Sequence, residues 1–283
     1  MNSSQLSQPE PSVRQQAVAT GLAFLMAESA RRHDRKRRRV DAAVMFRLRD
    51  SLSYRAEAVD WHPHVLRVLH SAGLRRLSEA HPDQAEEHQI LIHIASEHHY
   101  LFDDLVFNAL SLFDYVGNAV GFALYGEQRR KAKWDRIHRF AHDPEYESRE
   151  HPAARISSTE LSPCILDVHS SLVFALAEYR AALIHYEAQL GPGEFQINYT
   201  PAADGGFDPQ YALLLKVPDQ FGRRFVVPGY EADPRQATLL DAADWLARVA
   251  TRDAARVLRA LERELRHEAG VSRDGTEGSV EIV

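Results

Sequence analysis

AEEHQILIHIASEHHYLFDDLVFNALSLFDYVGNAVGFALY, residues 85–125, decides the fold. Leu91, Ile94, Leu101, Leu105, Leu112 and Ala119 recur at spacings built from threes and fours, which is the period of one helical face. Phe102, Val106, Phe113, Val116 and Val120 make a neighbouring stripe. A helix that is apolar over so much of its circumference lies inside a bundle. Pro82-Asp83 opens this run and Gly126 stops it.

Helical patterns continue on both sides. Val13 to about Ala30 reads as an amphipathic helix, and Val40–Ala58 and Pro63–Ala80 as two more. Ala132–His142 reads as a short one. The polar stretch HDPEYESREHPAARISSTE, residues 142–160, reads as a loop. Ser162-Pro163 starts another strong helix that runs to about Leu190 and ends at Gly191-Pro192-Gly193. The period then changes. GEFQINYT, QYALLLKVPD and RRFVVPGY are short, rich in β-branched and aromatic residues, and separated by Gly, Pro and Asp, so they read as two or three antiparallel strands. A final helix over about 237–268 carries Leu240, Ala243, Ala247, Ala254, Val257, Leu258, Leu261 and Leu265 along one side. The expected fold class is mainly α, a helical bundle with a small antiparallel β appendage. Its layout is a polar, disordered N-terminus over 1–12, a bundle over 13–190, the β appendage plus a final helix packing on the bundle over 191–268, and a disordered tail over 269–283.

Composition narrows the function classes. With 45% hydrophobic and 26% charged residues, the 283-residue chain has globular composition and can build a substantial core without staples. The single Cys164 excludes an intramolecular disulfide and any cysteine-based metal site. No run of 18 apolar residues occurs, and the positive run at 31–39 follows the apolar segment 17–27 instead of preceding it, so neither a membrane span nor a signal peptide is expected. The cytoplasm follows by elimination. Net charge is −6, with 20 Lys+Arg against 17 Asp+Glu over residues 1–142 and 14 against 23 over the remainder. A broad nucleic-acid-binding face is usually more basic, so any RNA contact is expected to be local.

Several constellations could carry chemistry. On the helix 163–190, Leu172, Leu176, Tyr179, Leu183 and Tyr186 fall within about 80° at 100° per residue and form its core stripe. Arg180 and His185 lie outside that sector, on opposite sides of the reverse face, with Ala177, Ala181, Ile184 and Ala188 between them. That small, apolar reverse face reads either as a seam for a second helix or as an Ala-rich solvent face. On the long helix, Asp104, Asn108, Ser111, Tyr115 and Asn118 share a sector of about 80°, with Asp114 just off it. This polar stripe is either hydrogen-bonding glue or the wall of a cleft.

The 15 histidines raise a metal hypothesis, with His93 and Glu97 an i,i+4 pair. Neither HExxH nor repeated ExxH is present, so no metal site and no cofactor is expected. His33-Asp34 and His142-Asp143 do not sit where HD-type chemistry needs them. The run Arg31–Arg39, seven Lys+Arg in nine residues, could hold phosphates or be a solvated helix end. GxxxxGK[ST], GxGxxG and GxSxG are all absent from the sequence.

The motif Y-R-A-A-L-I-H-Y around Arg180 and His185, set in a helical bundle, resembles the R-x4–6-H motif of the HEPN superfamily (higher eukaryotes and prokaryotes nucleotide-binding). The run F-D-D-L-V-F-N-A-L-S-L-F-D-Y-V-G-N is similar to the family helix that packs beside that motif. The likeness covers about residues 85–190. It implies a homodimeric, metal-independent endoribonuclease, of a stress or defence system, with two motifs meeting across the dimer. His185 would be the general acid or base on the 2′-hydroxyl or leaving oxygen, and Arg180 would stabilise the charge on the phosphorane. In this family the residue after the arginine is commonly polar, often asparagine, and here it is Ala181. The alternative the likeness implies is a non-catalytic nucleotide-binding or protein-interaction module.

Overall fold

The computed structural model describes residues 11–31, 42–80, 84–126, 133–152, 155–185, 193–201 and 207–270. The tails read as disordered fall almost wholly outside these residues, as does the basic run from Arg32 onward. The fold is mainly α with a small two-stranded antiparallel sheet.

Helix α1 (Val13–Arg31) begins with a reciprocal cap, in which Gln15 N donates to Ser12 Oγ and Ser12 N to Gln15 Oε1. Its buried face, Ala17, Thr20, Ala23, Phe24 and Ala27, is built mostly of small residues that let it lie close against the last helix. Thr20 Oγ1 bridges the two, bonding to the carbonyls of Gln16 and Leu258.

The sequence pattern suggested two helices over 40–80, but the chain forms one, α2 (Ala42–Ala80), with Pro63 inside it. An interior proline costs a helical hydrogen bond and about 3 kcal/mol. Both halves nevertheless bury apolar residues, with Met45, Leu52, Ala56 and Val59 before the proline and Leu66 and Leu77 after it, and that burial outweighs the break. Next to Pro63, His62 turns its own Nδ1 to the Ala58 carbonyl at 2.5 Å.

Helix α3 (Gln84–Tyr125) is the expected core helix. Phe102, Leu105, Val106, Ala109, Leu112, Phe113, Val116, Ala119 and Val120 are fully buried, and Gly126 ends it at φ 70°. Where α2 crosses α3, a Cβ on Gly73 would stand 2.9 Å from Ile94 Cγ2, so only glycine allows this approach.

The polar stretch read as a loop carries a helix. After α4 (Trp134–His142), Asp143 caps α5 (Pro144–Glu150) by accepting from Tyr146 N. Glu147 of α5 is fully buried. It accepts from the Tyr125 hydroxyl and from the backbone N–H groups of Arg155 (3.0 Å), Ile156 (2.7 Å) and Ser157 (2.9 Å). This anchor fixes the segment that leads into α6 (Leu161–Val168). Arg155 extends it to the far end of the chain through a 2.6 Å bond to Glu268.

A π-helical turn, His169–Val173, joins α6 to α7 (Phe174–His185). Strands β1 (Gly193–Pro201) and β2 (Phe207–Leu215) pair antiparallel, with Gly193 opposite Leu215 and Pro201 opposite Phe207. The third candidate, RRFVVPGY, is not a strand. It follows a short helix, α8 (Asp219–Gly222), and Phe225 and Val227 turn into the core. Helix α9 (Leu239–Glu268), capped by Thr238 Oγ1 on Asp241 N, packs against α1, α2, α3 and α6.

Two helical stretches, Glu87–Tyr125 and Leu161–Ile184, are long and apolar enough by length and composition to cross a membrane. The most apolar part of the first is 61% buried, which its place in the core explains.

Candidate active site

The continuous helix from Leu161 to His185 holds the motif arginine. At the π turn Phe174 N donates to the His169 carbonyl, five residues back, and the inserted residue rotates α7 relative to α6. Leu172, Leu176 and Tyr179 of the expected core stripe are fully buried and Leu183 is half-buried, while Tyr186 lies outside the described residues. Tyr179 donates its hydroxyl to Asp103 Oδ1 at 3.2 Å. Burial pushes the Asp103 carboxyl up to about 6, against a smaller lowering from the Tyr179 bond. Burial likewise raises the Tyr179 phenol.

Arg180, next in sequence, is exposed, with its guanidinium 5.4 Å from the centre of the Phe107 ring. At 100° per residue Phe107 falls between Asp114 and Asn118 around the axis of α3. The arginine therefore sits on the polar-stripe side of α3. His185 is the last residue of α7, and its side chain lies outside the described residues. The two motif positions are separated by about 140° around the helix and about 7.5 Å along it. Within one chain they diverge.

The polar stripe joins helices. Asn108 Nδ2 donates to the Asp104 carbonyl at 2.8 Å, and its Oδ1 accepts from Arg55 of α2 at 2.9 Å; Asp104 itself is exposed. The Arg55 guanidinium also lies 5.8 Å from the Tyr115 ring. Ser111 is half-buried. Asp114 accepts from Trp134 N at 3.4 Å and stands 3.7 Å from Lys133 Nζ, which ties α3 to the start of α4. Asn118 Nδ2 donates to the Asp114 carbonyl at 2.8 Å, while its buried Oδ1 has no partner among the described residues.

The reverse face of α7 is open to solvent. Ala177 and Ala181 are exposed and Ile184 is 57% exposed, while Ala188 lies outside the described residues. Phe174, 53% exposed, continues this face toward the N-terminus. Its spacing of 3, 7 and 10 residues from Ala177, Ala181 and Ile184 was readable in the sequence, but the proposed seam did not include it.

Sequence reasoning also missed a histidine pair at the π turn. His138 of α4 and His169 stack with ring centres 3.5 Å apart and planes 18° from parallel. Trp134 Nε1–H donates to His169 Nδ1 at 3.2 Å, so that nitrogen carries no proton. Burial lowers the pKa of both rings, and for His138 the neighbouring histidines add to it. Chain separation hid this cluster, since the two histidines stand 31 positions apart in the sequence. His93 and Glu97 form an exposed i,i+4 pair at 3.2 Å. Among the described residues no group of three or more His, Cys, Asp or Glu is placed to hold a metal ion. Comparison of the chain with family models, curated proteins and solved structures finds no match in any of the three.

Proposed function

We propose that the protein is a homodimeric, metal-independent endoribonuclease of the HEPN type, with Arg180 and His185 as its reacting groups. The observation that carries this reading is the exposed arginine on the polar side of α3, at the edge of an apolar face, Phe174, Ala177, Ala181 and Ile184, that no described residue covers. Pairing that face with a second copy about a two-fold axis would bury it and bring two arginines and two histidines to one seam. The divergence of Arg180 and His185 around their own helix supports the need for the second copy.

In that composite site one His185 takes the proton of a ribose 2′-hydroxyl, and the 2′-oxygen attacks the adjacent phosphorus. Arg180 stabilises the charge that builds on the phosphorane oxygens. The second His185 gives a proton to the departing 5′-oxygen, leaving a 2′,3′-cyclic phosphate and a 5′-hydroxyl. The apolar residue Ala181 after the motif arginine favours the second reading, a non-catalytic binding or interaction module.

Incubation of the purified chain with single-stranded RNA in excess EDTA separates the two. The enzyme reading expects cyclic-phosphate products, inert DNA, and loss of cleavage by about 10²–10⁴-fold in His185→Ala or Arg180→Ala with unchanged circular dichroism. Cleavage of DNA, or loss of activity in EDTA, contradicts this mechanism. A wild type inert on every RNA tried leaves the module reading.

A further inference from the structure

The first half of α9 gathers its polar and aromatic side chains on one side. Asp241, Asp244, Trp245, Arg248, Thr251 and Arg252 fall within about 120° around the helix axis. Two open hollows meet along this side. One, of about 420 Å³, is lined by Gly229, Tyr230, Asp241, Trp245 and Arg248 among others. The second, of about 620 Å³, lies between α9 and the first turns of α1 and the middle of α2, and its lining includes Ser12, Arg14, Asp60, Arg248 and Arg252. Arg248 borders both.

The smaller hollow has an aromatic wall. The Trp245 ring is backed by Phe225 at 5.6 Å and Phe221 at 6.4 Å, which fix it from behind, and it is only half-buried. The Tyr230 hydroxyl donates to Asp241 Oδ2 at 2.6 Å, holding the second ring in place. The acidic residues here are largely committed. Asp244 takes both its bonds from Arg67, at 2.5 and 2.7 Å, and Asp241 Oδ2 also accepts from Thr238. Among the described residues the side-chain bonds to Asp241 fall on Oδ2, which leaves Oδ1 to accept from a ligand hydroxyl or amino group.

The larger hollow sets three arginines, Arg14, Arg248 and Arg252, against two carboxylates, Glu57 and Asp60. Arg248 is exposed, and its guanidinium has no hydrogen-bond or ion-pair partner among the described residues. Arg252 commits its Nε to Asp253, which leaves its outer nitrogens available. Arg14 adds a third guanidinium, held loosely to Glu57 at 3.7 Å with both side chains well exposed. A guanidinium is the side chain best shaped for a phosphate. Arg248 and Arg252 lie three and seven residues beyond Trp245, about 4.5 and 10 Å along the helix. That is the span over which a nucleotide separates its heterocycle from its phosphate.

We infer that this side of α9 binds a nucleotide unit, with the heterocycle against Trp245 and Tyr230 and the phosphate on Arg248 and Arg252. A polar surface helix would not need an aromatic wall and an uncommitted arginine at the junction of two hollows. Arg180 lines neither hollow, and the inference does not rest on cleavage of RNA.

The test is a tryptophan-fluorescence titration of the full chain, checked by calorimetry, with AMP, UMP, inorganic phosphate and an eight-nucleotide single-stranded RNA. AMP or the RNA should bind saturably, and the fluorescence change should vanish in Trp245→Phe. The double variant Arg248→Ala/Arg252→Ala, at exposed positions and checked for folding by circular dichroism, should bind at least tenfold more weakly. Asp60→Asn should bind more tightly, because a carboxylate is removed from the phosphate hollow. Equal affinity for AMP and per RNA site marks a free nucleotide as the ligand, and RNA tighter by more than tenfold marks a strand. AMP has no phosphodiester bond to cleave, so its titration reads this site whether or not the chain cleaves RNA. The inference fails if neither nucleotide nor RNA binds, or if inorganic phosphate binds as tightly as AMP. It also fails if Arg259→Ala, on α9 but bordering neither hollow, weakens binding as much as Arg248→Ala.

Discussion

Replacing Asp103 by asparagine should make the protein more stable at neutral and alkaline pH. The carboxyl lies beside the buried Tyr179, one residue before the motif arginine, and its hydrogen bond comes from a neutral hydroxyl. Burial raises its pKa from 3.8 to about 6, so the folded chain holds this proton more tightly than the unfolded chain does. The stability linked to the proton is therefore complete below about pH 4 and is lost as pH rises through 6. One pKa unit corresponds to about 1.4 kcal/mol, which sets an upper bound of about 3 kcal/mol at pH 8. Partial exposure lets water screen the charge and brings the expected figure to about 1–2 kcal/mol. Asparagine keeps an acceptor for the Tyr179 hydroxyl and carries no charge. Urea unfolding of both proteins from pH 4 to pH 8, followed by circular dichroism, measures the difference directly. It should be small at pH 4, rise in favour of the variant with a midpoint near 5, and level off above about 6. A difference that is flat with pH, or that turns against asparagine as pH rises, refutes the reasoning.

Glu147→Ala should cost about 3–5 kcal/mol, because the Tyr125 hydroxyl and three backbone N–H groups lose one acceptor together, and the thermal midpoint reads this. Burial raises the Glu147 carboxyl, but bonds from Ser157, Tyr125 and the adjoining backbone outweigh it and hold the pKa below the usual value. Wild type therefore has stability that is present above the ordinary carboxylate range and lost as pH falls through the lowered pKa, an acid-side loss Glu147→Gln should not show. Ala181→Arg should convert the proposed dimer to a monomer in light scattering at tens of micromolar, since a charged side chain cannot be desolvated at that seam; a wild type already monomeric there removes the composite site. Asn118→Ala forfeits its bond to the Asp114 carbonyl and should lower stability by about 1 kcal/mol. A larger loss in cleavage than in stability supports a cleft, whereas normal cleavage with a lowered melting point marks the stripe as glue.

The elements with strong local signals were legible in the chain. Gly126 and the apolar periods of α1, α3 and α9 placed those helices to within about two residues at each end. The misreadings have a common cause. Pro63 looks like a helix boundary when local rules are applied, and it is overridden because residues on both sides of it bury against the same core. The segment 144–150 has no apolar stripe and forms a helix through its cap at Asp143 and through Glu147, whose partners lie 8 to 22 residues away. Phe225 and Val227 have strand-like composition, yet they close over the aromatic cluster around Phe221 instead of extending the sheet.

The sequence by itself determined the mainly α class, the identity of the core helix, the spacing of Arg180 and His185 around one helix, and the small apolar face between them. Those properties depend on period and residue type along one element, which local chemistry sets. Tertiary structure decided that Arg180 lies over Phe107, that Arg55 and Lys133 reach the polar stripe, that His138 meets His169, and that Trp245 and Arg248 border open hollows completed by the 227–230 segment and by α1 and α2. Each of these pairs residues from different elements. Such a meeting is fixed by how several buried faces pack at once, and no single stretch of the chain encodes it.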